Sequence, residues 1–268
     1  MAEPVVIGYG KQAVSVYRTD GVRSLFAASI GMTARGPAFL PSYTEGDNTV
    51  VVATDSMKNF IHVTALEYDG TTLEDFLELL ARRFLDTYAQ VDRIELTARE
   101  LRFARRTEQS FQALGGDRAV AELALDRTGA LEHRSGREGI RLVKLTGSSF
   151  AGFVRDEYTT LAESHDRPLY IHLDVHWQNQ DFAKRAPGEE VLDSIAATFA
   201  EFDSASIQEL VHRMGARLLD SFQELAEVSF TGENRLWDTA QVLGSDERVR
   251  VYTDPRPPFG HIELTLRR

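Results

Sequence analysis

The segment from residue 150 to residue 167 has an aromatic ring at one end and a guanidinium group at the other. Phe150 opens this segment and Arg167 closes it. A planar, anionic heterocycle needs such a pair, because the ring offers a face for stacking and the guanidinium offers a fork of donors. The alternative is that Phe150 belongs to the core and Arg167 forms a surface ion pair. These two residues alone do not decide between the two interpretations.

A second candidate binding element is the start of a predicted helix at 207–222. Ser206 and Glu209 have the spacing of a capping box, which marks the beginning of a helix. The first N–H groups of a helix have no partner inside it and carry partial positive charge. A ligand carbonyl or anion can bind there, held by the backbone of Ile207 and the amide of Gln208. Alternatively, Gln208 is a solvated residue of the first turn.

The histidines form no recognisable catalytic or metal motif in the sequence. His172, Asp174 and His176 alternate, so a strand would place all three side chains on one face. That spacing could bind a metal, but we favour the polar face of a half-buried strand and predict no metal site. The other histidines are scattered along the chain: His62, His133, His165, His212 and His261.

Composition restricts the class of protein. The chain has 268 residues, 43% of them hydrophobic, which suits one large or two small globular domains. No apolar run approaches the roughly 20 residues of a membrane-spanning helix, and no secretory signal is visible. The absence of cysteine excludes disulfides, thiolate zinc sites and cysteine nucleophiles. A net charge of -11 argues against binding of nucleic acid or of an anionic membrane, so an anion must be bound by a local pocket.

The hydrophobic pattern predicts an α+β fold of two similar halves with antiparallel sheets. Each half reads as two strands, two helices and further strands. We expect the boundary in the charged stretch 130–138, which divides the chain into domains of residues 1–133 and 134–268. The predicted strands are 5–17, 22–33, 93–104, 118–125, 141–146, 168–177, 248–253 and 261–266, and the predicted helices are 55–66, one from Thr72, 189–202 and 207–222.

Longer motifs make the chain resemble the urate oxidase (uricase) family over most of its length. TDSMKN and GFVRDEYTTL are long and specific, whereas the short triplets are weak alone. The resemblance implies tandem tunnelling-fold (T-fold) domains with paired helices, whose barrel is closed by oligomerisation. The matching stretches are Tyr9-Gly10-Lys11, Gly46 to Asn59, Phe150 to Arg167, the SIQ triplet that ends at Gln208, Asn234, and Asp254-Pro255 to Gly260.

The resemblance implies how a purine would be bound. Phe150 would stack on the purine, and Arg167 would clamp the edge of its pyrimidine ring. Gln208 would pair with the other side of that ring, and the backbone N–H of Ile207 would donate to a ring carbonyl. These roles come from the matching motifs and remain expectations at this point.

The resemblance also implies the catalytic residues. Lys11 and Thr54 would handle protons, with Asp55 supporting them, and in the family these three come from a neighbouring subunit. Asn234 would face the site of dioxygen or water above the ring. Lys11 can act as a base only if burial or a partner lowers its pKa.

Leu236 departs from the family pattern. Two residues after the matching asparagine, the family has a histidine that shares a proton relay with the lysine and the threonine. An imidazole can carry protons at neutral pH, whereas leucine cannot. The residues that clamp the ring are therefore present, while the proton relay beside the oxygen site is altered.

The expected activity is cofactor-free, O2-dependent oxidation of a urate-like 8-oxopurine such as 8-oxoguanine or urate, within purine metabolism. Without flavin or metal, the substrate must donate electrons to triplet dioxygen itself, so it must be an electron-rich anion. One alternative is an ordinary urate oxidase, giving 5-hydroxyisourate and H2O2, in which another group such as a nearby histidine replaces the missing one. A second is a non-catalytic purine-binding homologue. A zinc-dependent T-fold enzyme acting on pterins is disfavoured by the lack of cysteine.

The resemblance further implies a homotetramer with active sites at the subunit interfaces. The chain ends in Leu266-Arg267-Arg268 rather than in a Ser-Lys-Leu type of peroxisomal address. We therefore expect a cytoplasmic oxidoreductase whose partners are a small-molecule purine and O2.

Overall fold

The computed structural model describes residues 6–254 and 257–268. The chain divides into two compact units, Met1–Ser135 and Gly136–Arg268. Val5, the predicted start of the first strand, and Pro255, part of a matching motif, lie outside the described residues.

The first unit is built on an antiparallel sheet with the strand order β1-β2-β3-β6. A short pair, β4 and β5, stands apart from this sheet. The strands are β1 (Gly8–Thr19), β2 (Leu25–Arg35), β3 (Arg93–Glu100), β4 (Phe103–Arg105), β5 (Phe111–Ala113) and β6 (Arg118–Asp126), and the helices are a 3-10 turn (Pro37–Phe39), α1 (Leu40–Thr44), α2 (Thr54–Glu67) and α3 (Leu73–Thr87).

The helices of the first unit pack on this sheet through their apolar faces. α3 lies against β3 and β6, and α2 lies against β1. Phe76, Leu80 and Phe84 recur at helical spacing on α3 and are fully buried. Thr72 caps this helix, as predicted, because its hydroxyl accepts a hydrogen bond from the Asp75 N–H at 3.3 Å.

The second unit repeats this plan with the strand order β7-β8-β9-β12. β8 with β9, and β9 with β12, form antiparallel pairs. A separate hairpin joins β10 and β11. The elements are β7 (Leu131–Lys144), β8 (Leu169–Asn179), α4 (Gly188–Glu201), α5 (Ile207–Ser221), β9 (Leu225–Asn234), β10 (Asp238–Leu243), β11 (Asp246–Thr253) and β12 (Gly260–Arg267).

The expectation of a loop at the boundary stretch 130–138 is wrong, because residues 131–138 form the first part of β7. Charged side chains in this part of β7 form ion pairs with residues of neighbouring elements. Glu132 accepts two hydrogen bonds from Arg93, at 3.0 and 2.8 Å. Arg137, only 4% exposed, pairs with Glu189 at the start of α4. A charged strand of this kind has the composition of a loop, and the division between the units falls inside it.

The core of the second unit lies between its sheet and its two helices. β8 alternates buried and half-buried residues, with Leu173 and Val175 facing the core. Leu210, Met214 and Leu218 of α5 are fully buried in the same cluster. The α+β class with antiparallel sheets is thus confirmed. In the described part of the chain, no helix is both long and apolar enough to cross a membrane.

Candidate active site

A cavity of about 210 Å³ in the second unit brings together most of the residues that the sequence singled out. They come from separate parts of the chain: the loop after β7, the start of α5, the end of β9 and the residues just beyond it. The predicted residues that line the cavity are Phe150, Arg167, Ile207, Gln208, Asn234 and Leu236.

Backbone hydrogen bonds close the loop that carries the ring and the guanidinium. Phe150 and Ser164 exchange two N–H···O bonds, of 2.7 and 3.0 Å, and the Arg167 N–H donates to the Ser148 carbonyl at 2.9 Å. The two ends of the 150–167 segment therefore meet. The guanidinium carbon of Arg167 lies 5.6 Å from the centre of the Phe150 ring.

Phe150 is half-buried and is held by a second ring. Phe153 stacks on it with a centroid separation of 5.0 Å and an interplanar angle of 13°. A ring fixed in this way offers an oriented apolar surface to a planar ligand, because the entropy of ordering the ring has already been lost.

Arg167 lacks the partners that a buried guanidinium normally has. Its Nε atom is buried, and within the described chain it has no hydrogen-bond partner. Burial lowers the pKa of the Arg167 guanidinium below its usual range. A guanidinium can only donate hydrogen bonds, so this side chain is suited to a ligand with acceptors on its edge.

Asn234 has a buried acceptor that lacks a donor in the described part of the chain. It is the last residue of β9, and it lies between Ile171 of β8 and Gly260 of β12. Its Oδ1 atom is buried and, like Arg167 Nε, has no partner among the residues described. Native proteins rarely leave buried polar atoms unpaired. One unpaired donor and one unpaired acceptor on a single cavity therefore make it suited to a polar ligand.

The start of α5 contributes the third side of the cavity. The Ser206 hydroxyl accepts a hydrogen bond from the Glu209 N–H at 3.1 Å. The Glu209 carboxylate, however, accepts from the N–H of Ala205 at 3.0 Å rather than from that of Ser206, so the predicted capping box is only half formed. Ile207 is thus the first residue of the helix, and the exposed Gln208 follows it along the cavity wall.

Leu236 and His261 line this same cavity. Leu236 packs against the core cluster of the second unit. Sequence reasoning treated His261 as one of several scattered histidines and missed its place here. The only available signal was its position next to Gly260, at the end of the last matching motif.

Lys11 lies in the first unit, at an irregular point of β1. It pairs with Met32 of β2, and the register shifts between Lys11 and Val14. Ala13, inside this bulge, has a positive φ of 56°, which is uncommon for a residue other than glycine. Bulges re-aim the side chains beside them and are frequent near functional sites.

Thr54 and Asp55 open α2, beside β1. The Asp55 carboxylate accepts hydrogen bonds from Lys58 at 2.6 Å and from Asn59 at 3.1 Å. The bonded Lys58, and more weakly the charge of Lys11, hold the pKa of Asp55 below its usual value. The Asp55 carboxylate is therefore engaged mainly by Lys58 and Asn59 of its own helix.

The alternating residues of β8 share one face of the strand, as predicted. His172, Asp174 and His176 are half-buried, and Asp174 accepts a hydrogen bond from the Gly139 N–H at 2.7 Å. Residues 6–254 and 257–268 contain no group of three or more histidine, aspartate or glutamate side chains arranged to hold a metal ion.

The family model named Uricase matches residues 7–129 and 133–263. The chain belongs to the uricase family. Membership makes it an oxidoreductase of purine metabolism and supports urate oxidation as the general activity. Within the uricase fold, the cavity described above is where the family motifs of the second unit converge.

Similar proteins span this chain almost completely. A uricase of Haloferax volcanii is 38% identical, over 98% of each chain. The uric acid degradation bifunctional protein of Bacillus subtilis is also 38% identical over 98% of this chain, which spans only 61% of that longer protein. A urate oxidase structure from Bacillus sp. TB-90 has 35% identity and a TM-score of 0.91, covering 98% of this chain and 100% of that one. The crystal structure of the uricase from Arthrobacter globiformis has 26% sequence identity and a TM-score of 0.90, covering 100% of this chain and 96% of that one.

Proposed function

We propose that this protein oxidises a urate-like 8-oxopurine with dioxygen and without a cofactor, with urate as the first candidate. The observation that carries the proposal is the cavity of the second unit. There, a buried donor of Arg167 and a buried acceptor of Asn234 lie beside the oriented ring of Phe150 without partners among the described residues. A flat, anionic ring would stack on Phe150 and accept hydrogen bonds from Arg167, and a water or an N–H of the purine would donate to Asn234.

Arg167 favours urate over 8-oxoguanine. A guanidinium presents only donors, so a carbonyl on the facing edge is bound and an amino group is repelled. Urate carries a carbonyl at each of its three non-bridgehead carbons, whereas 8-oxoguanine carries an amino group at C2. If the C2 amino group faced Arg167, two donors would meet and the buried guanidinium N–H would stay unpaired. Such a loss discriminates strongly against the substrate that causes it. 8-Oxoguanine remains the alternative 8-oxopurine.

The proposed reaction balances without a metal or flavin. The purine loses two electrons and two protons to O2, which becomes H2O2. Water then adds to the oxidised ring, its hydroxide to C5 and its proton to a ring nitrogen, which gives 5-hydroxyisourate from urate. Binding as an anion promotes the first step because it makes the ring a better electron donor. Phe150 and Arg167 hold the ring, and Asn234 is positioned to hold the oxygen species or the water.

Lys11, Thr54 and Asp55 complete the site in this proposal. The family pattern has them supplied by a neighbouring subunit, so the active protein is a homotetramer with sites at subunit interfaces. The tandem T-fold organisation and the cytoplasmic location belong to the same proposal. Support comes from the charge of Lys11 acting on Asp55 within the first unit, and from the β-bulge that follows Lys11.

The proton relay is altered in this proposal. Leu236 occupies the position of the family's histidine and contributes an apolar wall to the cavity. Loss of a positioned acid–base group lowers rates by on the order of 10² to 10⁴. Either another residue supplies that group, or turnover is impaired and the protein is a purine-binding homologue.

Oxygen uptake with product mass tests the proposal. Protein stripped of metal is incubated in air with urate, 8-oxoguanine or xanthine, and binding of each is measured in parallel under anaerobic conditions. We expect uptake with urate and the mass of 5-hydroxyisourate, with less or none for the others. Tight binding without uptake for every purine would instead support the non-catalytic homologue.

A further inference from the structure

A tyrosine on β1 connects the strand that carries Lys11 to the residues that precede Thr54. The Tyr9 hydroxyl accepts a hydrogen bond from the Val52 N–H at 2.7 Å. We propose that Tyr9 is a positioning residue of the active site, which holds the start of α2 in place beside Lys11. The inference rests on the proposed function and names a further residue for it.

Tyr9 and Lys11 lie on the same face of β1. Tyr9 is directly opposite Ala34 of β2, Lys11 is opposite Met32, and the bulge begins only after Lys11. Side chains two residues apart on a regular strand point to the same side of the sheet, as do directly opposed residues. Ala34 and Met32 are fully buried, and α2 packs against β1. The hydroxyl and the lysine are therefore placed on the side of the sheet that α2 covers.

The Tyr9 ring is fixed by its packing. It meets the ring of Phe39 edge to face, with a centroid separation of 4.9 Å and an interplanar angle of 89°, and Phe39 is fully buried. The Tyr43 hydroxyl donates to the Gly8 carbonyl at 2.9 Å, which ties the beginning of β1 to α1. Burial raises the pKa of the Tyr9 phenol, so the hydroxyl stays uncharged near neutral pH. It is thus an oriented acceptor for the Val52 N–H.

The start of α2 depends on contacts from outside the helix. Its N-cap residue is Ala53, and among the described residues no side chain caps it. In contrast, α3 and α5 begin after Thr72 and Ser206, whose hydroxyls cap them. The segment before α2 is instead held by the Tyr9 hydroxyl and by the Gln90 amide, which donates to a carbonyl of this segment at 3.0 Å.

One hydrogen bond therefore links two short segments that carry proton-handling groups. Lys11 is two residues after Tyr9, and the bonded Val52 is two residues before the first residue of α2, Thr54. Without the hydroxyl, the Val52 N–H loses its acceptor and the start of α2 can shift against β1. A displacement of about 1 Å within a site can lower a rate by about 10²-fold.

Tyr9→Phe tests the inference, because it removes only the hydroxyl and keeps the ring against Phe39. Tyr68→Phe is the matched control at the other end of α2, where the Tyr68 hydroxyl accepts from the Thr72 N–H at 3.0 Å. We expect Tyr9→Phe to lower kcat on urate by roughly 10- to 10²-fold, with a much smaller change in anaerobic urate affinity. Tyr68→Phe should lose similar stability in urea and keep its kcat. Unchanged kcat in Tyr9→Phe, or equal losses of kcat in both variants, would overturn the inference.

A double variant separates positioning from general damage. Thr54→Val removes a hydroxyl that Tyr9 is proposed to position, so a further Tyr9→Phe change should lower kcat by clearly less than it does in the wild type. Effects on kcat that simply multiply would show that Tyr9 acts independently of Thr54, and would contradict the proposed role.

Amide hydrogen exchange keeps the inference testable if the wild type does not turn over. Absence of oxygen uptake in the wild type would refute the oxidase proposal, and the role of Tyr9 is then judged separately. Exchange of residues 50–56, followed by mass spectrometry of peptides, measures local opening of this segment. It should be several-fold faster in Tyr9→Phe than in the wild type and in Tyr68→Phe. Equal exchange in all three proteins would refute the proposed positioning of α2 by Tyr9.

Discussion

At the scale of single residues, the site depends on two buried atoms with opposite requirements. Arg167 Nε donates and Asn234 Oδ1 accepts, and across the described residues neither has a partner. An unpaired buried group destabilises the folded chain by roughly 1–3 kcal/mol, which a ligand recovers when it binds. These two atoms therefore favour binding of a ligand that offers an acceptor to Arg167 and a donor to Asn234.

Arg167→Lys should weaken anaerobic urate binding by roughly 10²-fold, because lysine loses the planar fork and a charge-assisted hydrogen bond contributes about 1.5–3 kcal/mol. Isothermal titration measures the change. Arg82→Lys is the control, since Arg82 pairs with Glu78 on the exposed face of α3. Equal affinity in both variants would show that Arg167 does not contact the purine.

Phe150→Leu should reduce urate affinity by roughly 10-fold, since stacking of one base on an aromatic ring contributes about 1–3 kcal/mol. Phe153→Leu is a graded comparison: it removes the ring that supports Phe150 at 5.0 Å and should have a smaller effect. A Phe153 effect as large as that of Phe150 would mean that ring orientation, rather than contact, decides binding. Competition with a fluorescent purine gives both affinities.

At the scale of elements, three pieces of the second unit converge on the cavity: the closed 150–167 loop, the start of α5 and the ends of β9 and β12. Each is fixed by backbone hydrogen bonds or a side-chain cap, so the site is largely formed before a ligand arrives. Such preorganisation favours tight binding because little entropy remains to be lost.

Ser206→Ala should destabilise the protein by about 1 kcal/mol and raise the KM for urate, since the cap also sets the position of Ile207 and Gln208. Thr72→Ala removes the equivalent cap of α3 in the first unit. It should cause a similar loss of stability in urea denaturation with an unchanged KM. If both variants raised KM equally, general destabilisation and not helix placement would be responsible.

His172 of β8 makes stability depend on pH. Burial, with help from the charges of Arg141 and Arg235, lowers its pKa in the folded chain, so protonation favours the unfolded chain. Stability is therefore complete above the unfolded pKa of roughly 6.5 and falls as the pH drops below it. His172→Asn should lose less free energy of unfolding than wild type between about pH 7.5 and about pH 5.5. Equal losses of unfolding free energy in wild type and His172→Asn would contradict the assignment of this pH dependence to His172.

At the scale of the whole molecule, the chain repeats one plan of antiparallel sheet and paired helices in two units. The clamp residues belong to the second unit, and Lys11, Thr54 and Asp55 belong to the first. Since the proposed site draws on different protomers, activity is expected to depend on assembly.

Complementation tests the shared site. Lys11→Met and Arg167→Gln should each abolish turnover, whereas oligomers that contain both variants should recover roughly a quarter of wild-type activity if subunits mix randomly in a symmetric assembly. The recovered fraction reflects sites that draw an intact lysine from one protomer and an intact arginine from another. Recovery of nothing after verified mixing would place both groups in one chain.

Much of this organisation could be predicted from the sequence, because motifs and caps are local. The 150–167 segment, the capped helices and the alternation on β8 all follow from residue spacing. The first part of β7 could not be predicted, since its charges are typical of a loop until Arg93 and Glu189 are seen opposite them. The place of His261 depends on the register of β12 against β9, which pairs residues far apart in the chain.

The most direct test of the central claim is a crystal structure of the assembled protein with urate, grown without oxygen. The account predicts the purine in the cavity of the second unit, with its face on Phe150, its edge on Arg167 and Gln208, and Lys11 of a neighbouring subunit near the ring. Urate bound elsewhere, or a cavity left empty at saturating urate, would contradict it.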